Sequence, residues 1–514
     1  MSFSKLSSGQ SDIGSATIVD IEADISRGLY AFAIVGLPDK AVEESKDRVS
    51  SAIKNSGFES PKTKNQKVVI SLAPADLKKE GPAFDLPIAL CYLLSSGEIK
   101  FDTKNKLFLG ELALDGTLRP LSGVLSIVIE AKARGFKEIY LPEGNVREAC
   151  LIKDIKIFGI KNLNEVINHL NELPSDRPKV TLEASKETII LEPEDTFHAD
   201  FADIKGQENA KRALEIAAAG GHNVLMFGPP GTGKTMLAKA FSGILPRLSY
   251  DEIIEATSIH SKAGVLNDEI IVAPPFRSPH HTSSHVAVVG GGVSLRPGEI
   301  TLAHKGVLFL DEFPEFDRRV IESLREPLEE RVIKVSRAKG TATFPADIIL
   351  IAAMNPCPCG NYGSTKRCTC SQMAIQKYQR KISGPILDRI DIWIEVSEID
   401  HELLEDRTKS ESSKAIRERV EKARGVQKNR FRSLNLNQSR NSEIKAKNIQ
   451  DITLVEKEAS KVLLNYADKL ALSPRAYHRV IRLARTIADL ESSPTIKTPH
   501  ILEALQYRQK KEIS

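Results

Sequence analysis

Gly228-Pro229-Pro230-Gly231-Thr232-Gly233-Lys234-Thr235 decides the reading of this 514-residue chain. The stretch satisfies GxxxxGK[ST], with an apolar run over 223–227 before it and a helical pattern over 236–241 after it. Strand, glycine-rich turn and helix in that order make a phosphate-binding loop. The glycines let backbone N–H groups turn inward, and the helix N-terminus adds positive potential. Lys234 is expected to reach the β- and γ-phosphates, and Thr235 to ligate Mg²⁺. A bare Gly/Pro-rich turn would explain the glycines but not the flanking elements.

About 75 residues further on, 307–310 is a four-residue apolar run that ends in Asp311-Glu312. A buried strand with two carboxylates at its C-terminal end suits a phosphate site. Asp311 can hold Mg²⁺ and Glu312 can polarise a water for attack on the γ-phosphate. A third apolar run, 348–353, leads to Met354-Asn355, where a polar side chain can touch the γ-phosphate or the attacking water. Arg389 precedes a further strand candidate at 392–396, and Arg475 follows Ser473-Pro474 at the start of a helix. Each arginine alone reads as a surface cation.

The rest of the chain is built outward from this centre. At 41% hydrophobic and 27% charged residues the composition is that of globular protein, with length for about three domains. Residues 1–172 read as an α/β domain, with strand candidates at 16–21, 68–71, 107–114, 138–141 and 155–160. Helical patterns lie at 40–56, 86–95 and 126–134. Residues 173–200 read as a proline-punctuated linker with one strand candidate at 188–191. Residues 201–400 form the second α/β block, and 401–514 are helical in period. The first twelve residues lack an apolar core, and no apolar run is long enough to span a bilayer. A cytoplasmic protein with no membrane partner is expected. The net charge of +4 is uneven: −5 over 1–200, zero over 201–400 and +9 over 401–514. A basic C-terminal third fits either a polyanion partner or a solvated helical face.

Phosphate loop, Asp-Glu strand, Asn-ended strand, arginine before a strand and arginine in a helical region together resemble an AAA+ ATPase. Phe276-Arg277-Ser278-Pro279-His280-His281-Thr282, Gly290-Gly291-Gly292 and Arg296-Pro297-Gly298-Glu299-Ile300 narrow the resemblance to the magnesium-chelatase-like branch. The runs 34–42, 72–81 and 484–490 make the chain similar, over nearly its whole length, to the ComM/YifB family. The resemblance implies an AAA+ P-loop core and a C-terminal helical lid. It implies that Gly228, Pro229, Pro230, Gly231, Thr232, Gly233, Lys234 and Thr235 bind ATP, with Asn355 as first sensor and Arg475 as second. Thr235 and Asp311 would hold magnesium. Glu312 would be catalytic, and so would Arg389, a finger entering the neighbouring subunit's site in a homo-oligomer, most simply a hexamer.

The N-terminal domain resembles the proteolytic domain of Lon in degenerate form. Ala83 stands at the expected serine and Ile127 at the expected lysine, so peptidase chemistry by that dyad is excluded and a docking or assembly role is expected. The segments 330–335 and 341–345 can pair as a hairpin with Arg337 and Lys339 near its tip. The branch's topology turns such a hairpin toward a central pore, where these two cations would bind DNA phosphates; ordinary solubilising charge is the alternative. The tract 280–299 is a second candidate pore insert, with a structural role for its histidines as the alternative. Cys357-x-Cys359 and Cys368-x-Cys370 can supply four thiolates for a structural zinc, against metal-free packing or a redox role.

The function so implied is an ATP-dependent DNA motor or helicase. It would promote branch migration in natural transformation and homologous recombination, acting on single-stranded, forked or junction DNA beside recombination proteins. The alternatives are an AAA+ protein remodeller and a chelatase-type motor subunit. The N-terminal domain argues against the latter, since chelatase relatives are expected to lack it.

Overall fold

The computed structural model describes residues 3–12, 15–174, 177–190, 199–266, 270–292, 295–337, 340–363, 366–398 and 410–508. The chain forms two compact units, Met1–Leu191 with Tyr250–Ile271, and Glu192–Ser249 with Val272–Ser514.

The first unit is built on seven strands. They are β1 (Phe3–Asp12), β2 (Ser15–Arg27), β3 (Ala31–Val35), β4 (Gln66–Ala73), β5 (Lys106–Phe108), β8 (Glu138–Pro142) and β9 (Lys156–Ile160), with the small pair β6 (Glu111–Leu112) and β7 (Leu118–Arg119) outside the sheet. The order is β3-β4-β2-β1-β5-β8-β9. β1 pairs antiparallel with β2 and parallel with β5. A strand this central was not read from Ser-Lys-Leu-Ser-Ser-Gly-Gln because the sequence is polar. Its buried polar groups are paired instead: Ser8 donates to the Phe108 carbonyl at 2.8 Å, and Gln10 donates to the Lys78 carbonyl at 3.1 Å. The helix Lys40–Asn55 starts at Asp39, whose carboxylate accepts from the Val42 N–H at 2.9 Å, and buries Val42, Val49, Ala52 and Ile53. The helix Asp85–Ser96 is buried along most of its length. The helix Val124–Ala133 buries Ile127 against Gly9, where an added Cβ would stand 2.4 Å from the Ile127 side chain.

Two expectations need adjustment. The apolar run at 107–114 is not one strand: β5 ends at Phe108 and β6 is separate. Residues 188–190 are not a strand, although Ser185 N–H reaches the Ile157 carbonyl at 2.8 Å and Thr188 N–H the Cys150 carbonyl at 3.0 Å; residue 191 lies outside the described residues. The segment Tyr250–Ile271 belongs to this first unit although it follows the phosphate loop in sequence. Its helix, Tyr250–Ala263, packs on Val124–Ala133. Ser258 and Ser126 hydroxyls meet at 2.6 Å, and Ser261 Oγ accepts from Gly123 N–H at 3.0 Å.

The second unit carries a parallel sheet of β10 (Val224–Phe227), β11 (Phe276–Arg277), β14 (Val307–Leu310), β17 (Ile349–Met354) and β18 (Ile392–Glu395). The order is β11-β14-β17-β10-β18, and β14 and β17 are buried at every residue. Such continuous apolar runs are what helix-covered parallel strands require. The helices Ser413–Ser433, Lys457–Lys469, Pro474–Leu490 and Thr498–Gln506 place Val420, Leu463, Leu483 and Ile501 in the same apolar core as the sheet. Apart from it stand β12 (Gly290–Gly291) with β13 (Arg296–Pro297), and the hairpin of β15 (Val332–Arg337) and β16 (Gly340–Pro345). The hairpin strands run from Val332↔Pro345 to Arg337↔Gly340. Glu330 is not in the strand: it closes the helix Arg325–Glu330, which Arg331 ends in a left-handed conformation. Lys339 and the Arg337 side chain lie outside the described residues.

The root of this hairpin is tied into the C-terminal helical region by buried charge. Asp347 accepts from Lys305 at 3.0 Å and from Arg440, with Arg331 at 3.5 Å; Glu443 accepts from Arg440 at 2.9 Å and from Arg331. Burial pushes both carboxyls up, but Arg440 and Arg331 outweigh it. Asp347 is held far below the carboxylate range and Glu443 at about 2. Folded-state values below the unfolded ones mean stability that is complete above about pH 4 and lost as pH falls toward 2. The thermal midpoint should therefore be insensitive to these groups from pH 8 to 5 and drop below pH 4. Asp347→Asn removes one of the two carboxylates that compensate buried Arg440 and should cost about 3–5 kcal/mol in chemical denaturation. An unchanged midpoint would remove the network from the account of stability.

Candidate ATP-hydrolysis site and cysteine cluster

β10 delivers the phosphate loop to the helix Lys234–Ile244. At Gly228 the backbone passes so close to Val396 that a Cβ would lie 2.1 Å from its carbonyl oxygen. Gly233 adopts φ +89°, a left-handed conformation that glycine takes without strain, immediately before the helix. Lys234 is buried and bends back, donating to the carbonyls of Gly228 at 2.8 Å and Pro229 at 2.7 Å, with Asn355 Oδ1 at 3.4 Å. Burial lowers its pKa. Thr235 Oγ1 donates to Asp311 Oδ2 at 2.7 Å, which puts the two expected magnesium ligands side by side.

Glu312 takes φ +51°, rare for a residue with a side chain. Its carboxylate meets His281 Nδ1 at 3.0 Å. His281 follows β11, and β11 lies beside β14 in the sheet. The tract 280–299, expected as a second insert, thus begins at the acidic pair. Sequence reasoning quoted His281 in a motif but gave it no part in the site; the motif's position just after a strand parallel to β14 was the available signal. Arg277, the last residue of β11, forms a two-armed pair with Glu299 at 2.6 and 2.7 Å.

The two arginines come together elsewhere. Arg389 Nη2 lies 2.6 Å and Arg475 Nη2 2.9 Å from the same oxygen, Glu329 Oε1. Arg475 opens the helix Pro474–Leu490, where Ser473 caps the Ala476 N–H. Glu329 was not singled out from sequence, where it is one of four glutamates in Ile321–Glu330 with nothing in the spacing to mark it. Lys234, Thr235, Asp311, Glu312 and Asn355 therefore form one constellation, and Arg389 with Arg475 a second.

Cys357, Cys359, Cys368 and Cys370 place their sulfurs within 4.8 Å of one another. Three separations are 3.4, 3.6 and 3.8 Å. Four thiolates about 2.3 Å from a tetrahedral Zn²⁺ stand about 3.8 Å apart, so the cluster fits the metal. Backbone N–H groups of Asn361 and Thr369 pull the Cys359 thiol down to about 6, and Tyr362 N–H donates to Cys357 Sγ at 3.3 Å. With the pair Cys357→Ser/Cys359→Ser, bound zinc measured by mass spectrometry should fall from about one per chain to none. Equal metal content in both proteins would rule the site out.

A five-stranded parallel sheet with this loop, this acidic pair and a polar residue after β17 is the site of a P-loop ATPase of the AAA+ type. The comparisons make the class specific. The family model for magnesium chelatase, subunit ChlI, matches residues 200–404, and that for its C-terminal region matches 410–508. The chain is 42% identical over 498 residues to Competence protein ComM of Haemophilus influenzae, covering 96% of this chain and 95% of that protein. It is 42% identical over 501 residues to the uncharacterised protein YifB of Escherichia coli, covering 95% and 94%. The chain belongs to the ComM/YifB family of magnesium-chelatase-like AAA+ ATPases. A weaker likeness, 27% over 207 residues, joins 38% of the chain to 22% of the DNA replication licensing factor Mcm6 of Drosophila melanogaster. A third model, also described as a subunit ChlI of Mg-chelatase, matches residues 21–145. No described helix is long and apolar enough to cross a membrane.

Proposed function

We propose that the protein is an ATP-driven DNA motor that promotes branch migration of recombination intermediates during uptake of foreign DNA. Likeness to a competence protein along both units carries this reading, and the likeness to a replication licensing factor supports it. Lys234 and the loop amides bind the triphosphate. Mg²⁺, held by Thr235 and Asp311, would neutralise charge on the phosphates. Glu312 leaves His281 to orient the attacking water, and Asn355 senses the γ-phosphate. Arg389 and Arg475 serve the nucleotide of the next subunit in a ring, most simply a hexamer. The hairpin β15–β16 carries Arg337 and Lys339 to the DNA backbone, and the cysteine cluster holds a structural zinc just after Asn355.

The first unit is a Lon-protease-like module without peptidase chemistry. Ala83 has no nucleophile, and buried Ile127 offers no base. Its capture of the helix Tyr250–Ala263 suits a role in docking. The protein works in the cytoplasm, beside recombination proteins.

The test is ATP turnover with and without forked DNA, read together with displacement of a labelled junction strand. Stimulation of severalfold is expected. It should weaken with added salt and with Arg337→Ala/Lys339→Ala, while ATP binding is unchanged. No stimulation and no displacement would leave the remodeller and chelatase-motor readings in its place.

A further inference from the structure

Glu329 is the one described carboxylate that both arginines of the second constellation share. Its side chain is 47% exposed, whereas that of Arg389 is only 11% exposed. Both cations approach a single oxygen rather than each taking a carboxylate of its own. The remaining groups of Arg389 show an incomplete seat. Nη1 donates to the Pro385 carbonyl, and buried Nε has no hydrogen-bond partner among the described residues. A guanidinium fork matched to an anion uses two N–H groups in parallel, and here only one meets the carboxylate. The three side chains line a cavity of about 1020 Å³, together with Asp388, His478 and Arg482. That volume accepts a polyphosphate far larger than the carboxylate now in place. Partial burial pushes the Glu329 carboxyl up, and Arg389 with Arg475 outweigh it, so the group is charged at neutral pH.

Two side chains anchor the main chain beside Arg389. Asn223 Nδ2 donates to the Arg389 carbonyl at 3.1 Å, and Arg479 donates to the Ile390 carbonyl.

We propose that Glu329 is an internal stand-in for the triphosphate: a positioning residue that holds Arg389 and Arg475 as a pair and must release them when they take up the nucleotide of an adjacent subunit. The inference rests on the shared-site reading above. Before assembly, Glu329 keeps two buried or half-buried cations compensated and aimed at the same point. During assembly it competes with the incoming γ-phosphate, so the ATP needed for activity is set partly by a residue of the finger subunit.

The experiment is an ATP titration of hydrolysis by the full-length protein, for wild type, Glu329→Gln and Glu329→Asp at equal protein concentration. Removing the competing charge should lower the half-saturating ATP about threefold to tenfold in Glu329→Gln, the range of one or two exposed ion pairs. Glu329→Asp, which keeps the charge, should lie nearer wild type. Half-saturating ATP that is unchanged or raised in Glu329→Gln, or a reversed order of the two variants, overturns the proposal. Glu329→Ala gives the same readout should the glutamine variant fold poorly. Arg389→Ala is the control for the underlying reading. If it turns over ATP at the wild-type rate, the shared site itself is wrong. If it is inactive and Glu329→Gln leaves half-saturation unmoved, only the role of Glu329 falls.

Discussion

Arg389→Ala should lower ATP turnover about a thousandfold while leaving nucleotide binding nearly intact, because a finger arginine stabilises charge that develops only in the transition state. The geometry makes the expectation specific. Arg389 and Lys234 belong to separate constellations of the second unit, and the contacts described for the Arg389 guanidinium are with Pro385 and Glu329. A cation that serves its own chain's phosphates would be drawn toward the loop. One that serves a neighbour is presented at a distance from it. Mixing distinguishes the two cases. A subunit carrying Arg389→Ala keeps its phosphate loop, and a subunit carrying Glu312→Gln keeps its finger. In a random one-to-one mixture about a quarter of the interfaces join an intact Glu312 to an intact finger. Turnover should therefore return on mixing two inactive proteins. Failure to return would place Arg389 in its own chain's site or outside catalysis altogether.

The parts of this site that were legible in the sequence are those whose chemistry is local. Gly228 to Thr235 state their backbone requirement residue by residue, and the apolar runs of β14 and β17 end where Asp311 and Asn355 begin. The parts that were not legible depend on which segments meet. His281 reaches Glu312 because β11 and β14 are neighbours in the sheet, which no local pattern encodes. Glu329 gains its significance from two arginines far along the chain. β1 was missed for a related reason: its Ser8 and Gln10 are buried by hydrogen bonding to residues of other segments, so hydrophobic alternation never appears.

The charge count is legible only in part for the same reason. The +9 of residues 401–514 fits either a polyanion partner or a solvated helical face, and many of those arginines are engaged within the unit. Arg419 pairs with Glu215 and Glu411, Arg424 donates to the Ala218 carbonyl, Arg430 and Arg485 converge on Asp489, and Arg440 joins Asp347 and Glu443. A cation committed to a buried carboxylate or a helix-end carbonyl is unavailable to phosphate. The basic excess therefore reports in part how the helical region is fastened to the sheet.

Glu312→Gln is the second large effect and separates chemistry from binding. Glutamine keeps the volume of the side chain and can still accept from His281, so the loop, Lys234 and the Thr235–Asp311 pair are undisturbed. What would be lost, on the proposed role, is the negative charge that orients and deprotonates the attacking water, worth about 10²–10⁴-fold in rate. Turnover should fall by that factor while the affinity for a fluorescent ATP analogue stays within about twofold of wild type. Lys234→Ala should show the opposite split, with binding lost first, because on the proposed role its ammonium would contact the phosphates in the ground state as well as in the transition state. The left-handed backbone at Glu312 sharpens the argument. Such a conformation costs on the order of 1–3 kcal/mol and persists where the surroundings impose it. Here it sets the carboxylate just beyond the end of β14, beside His281 and one residue from the aspartate that faces Thr235. A Glu312→Gln protein that hydrolysed ATP at the wild-type rate would transfer the catalytic role to another group and leave that strain without a purpose.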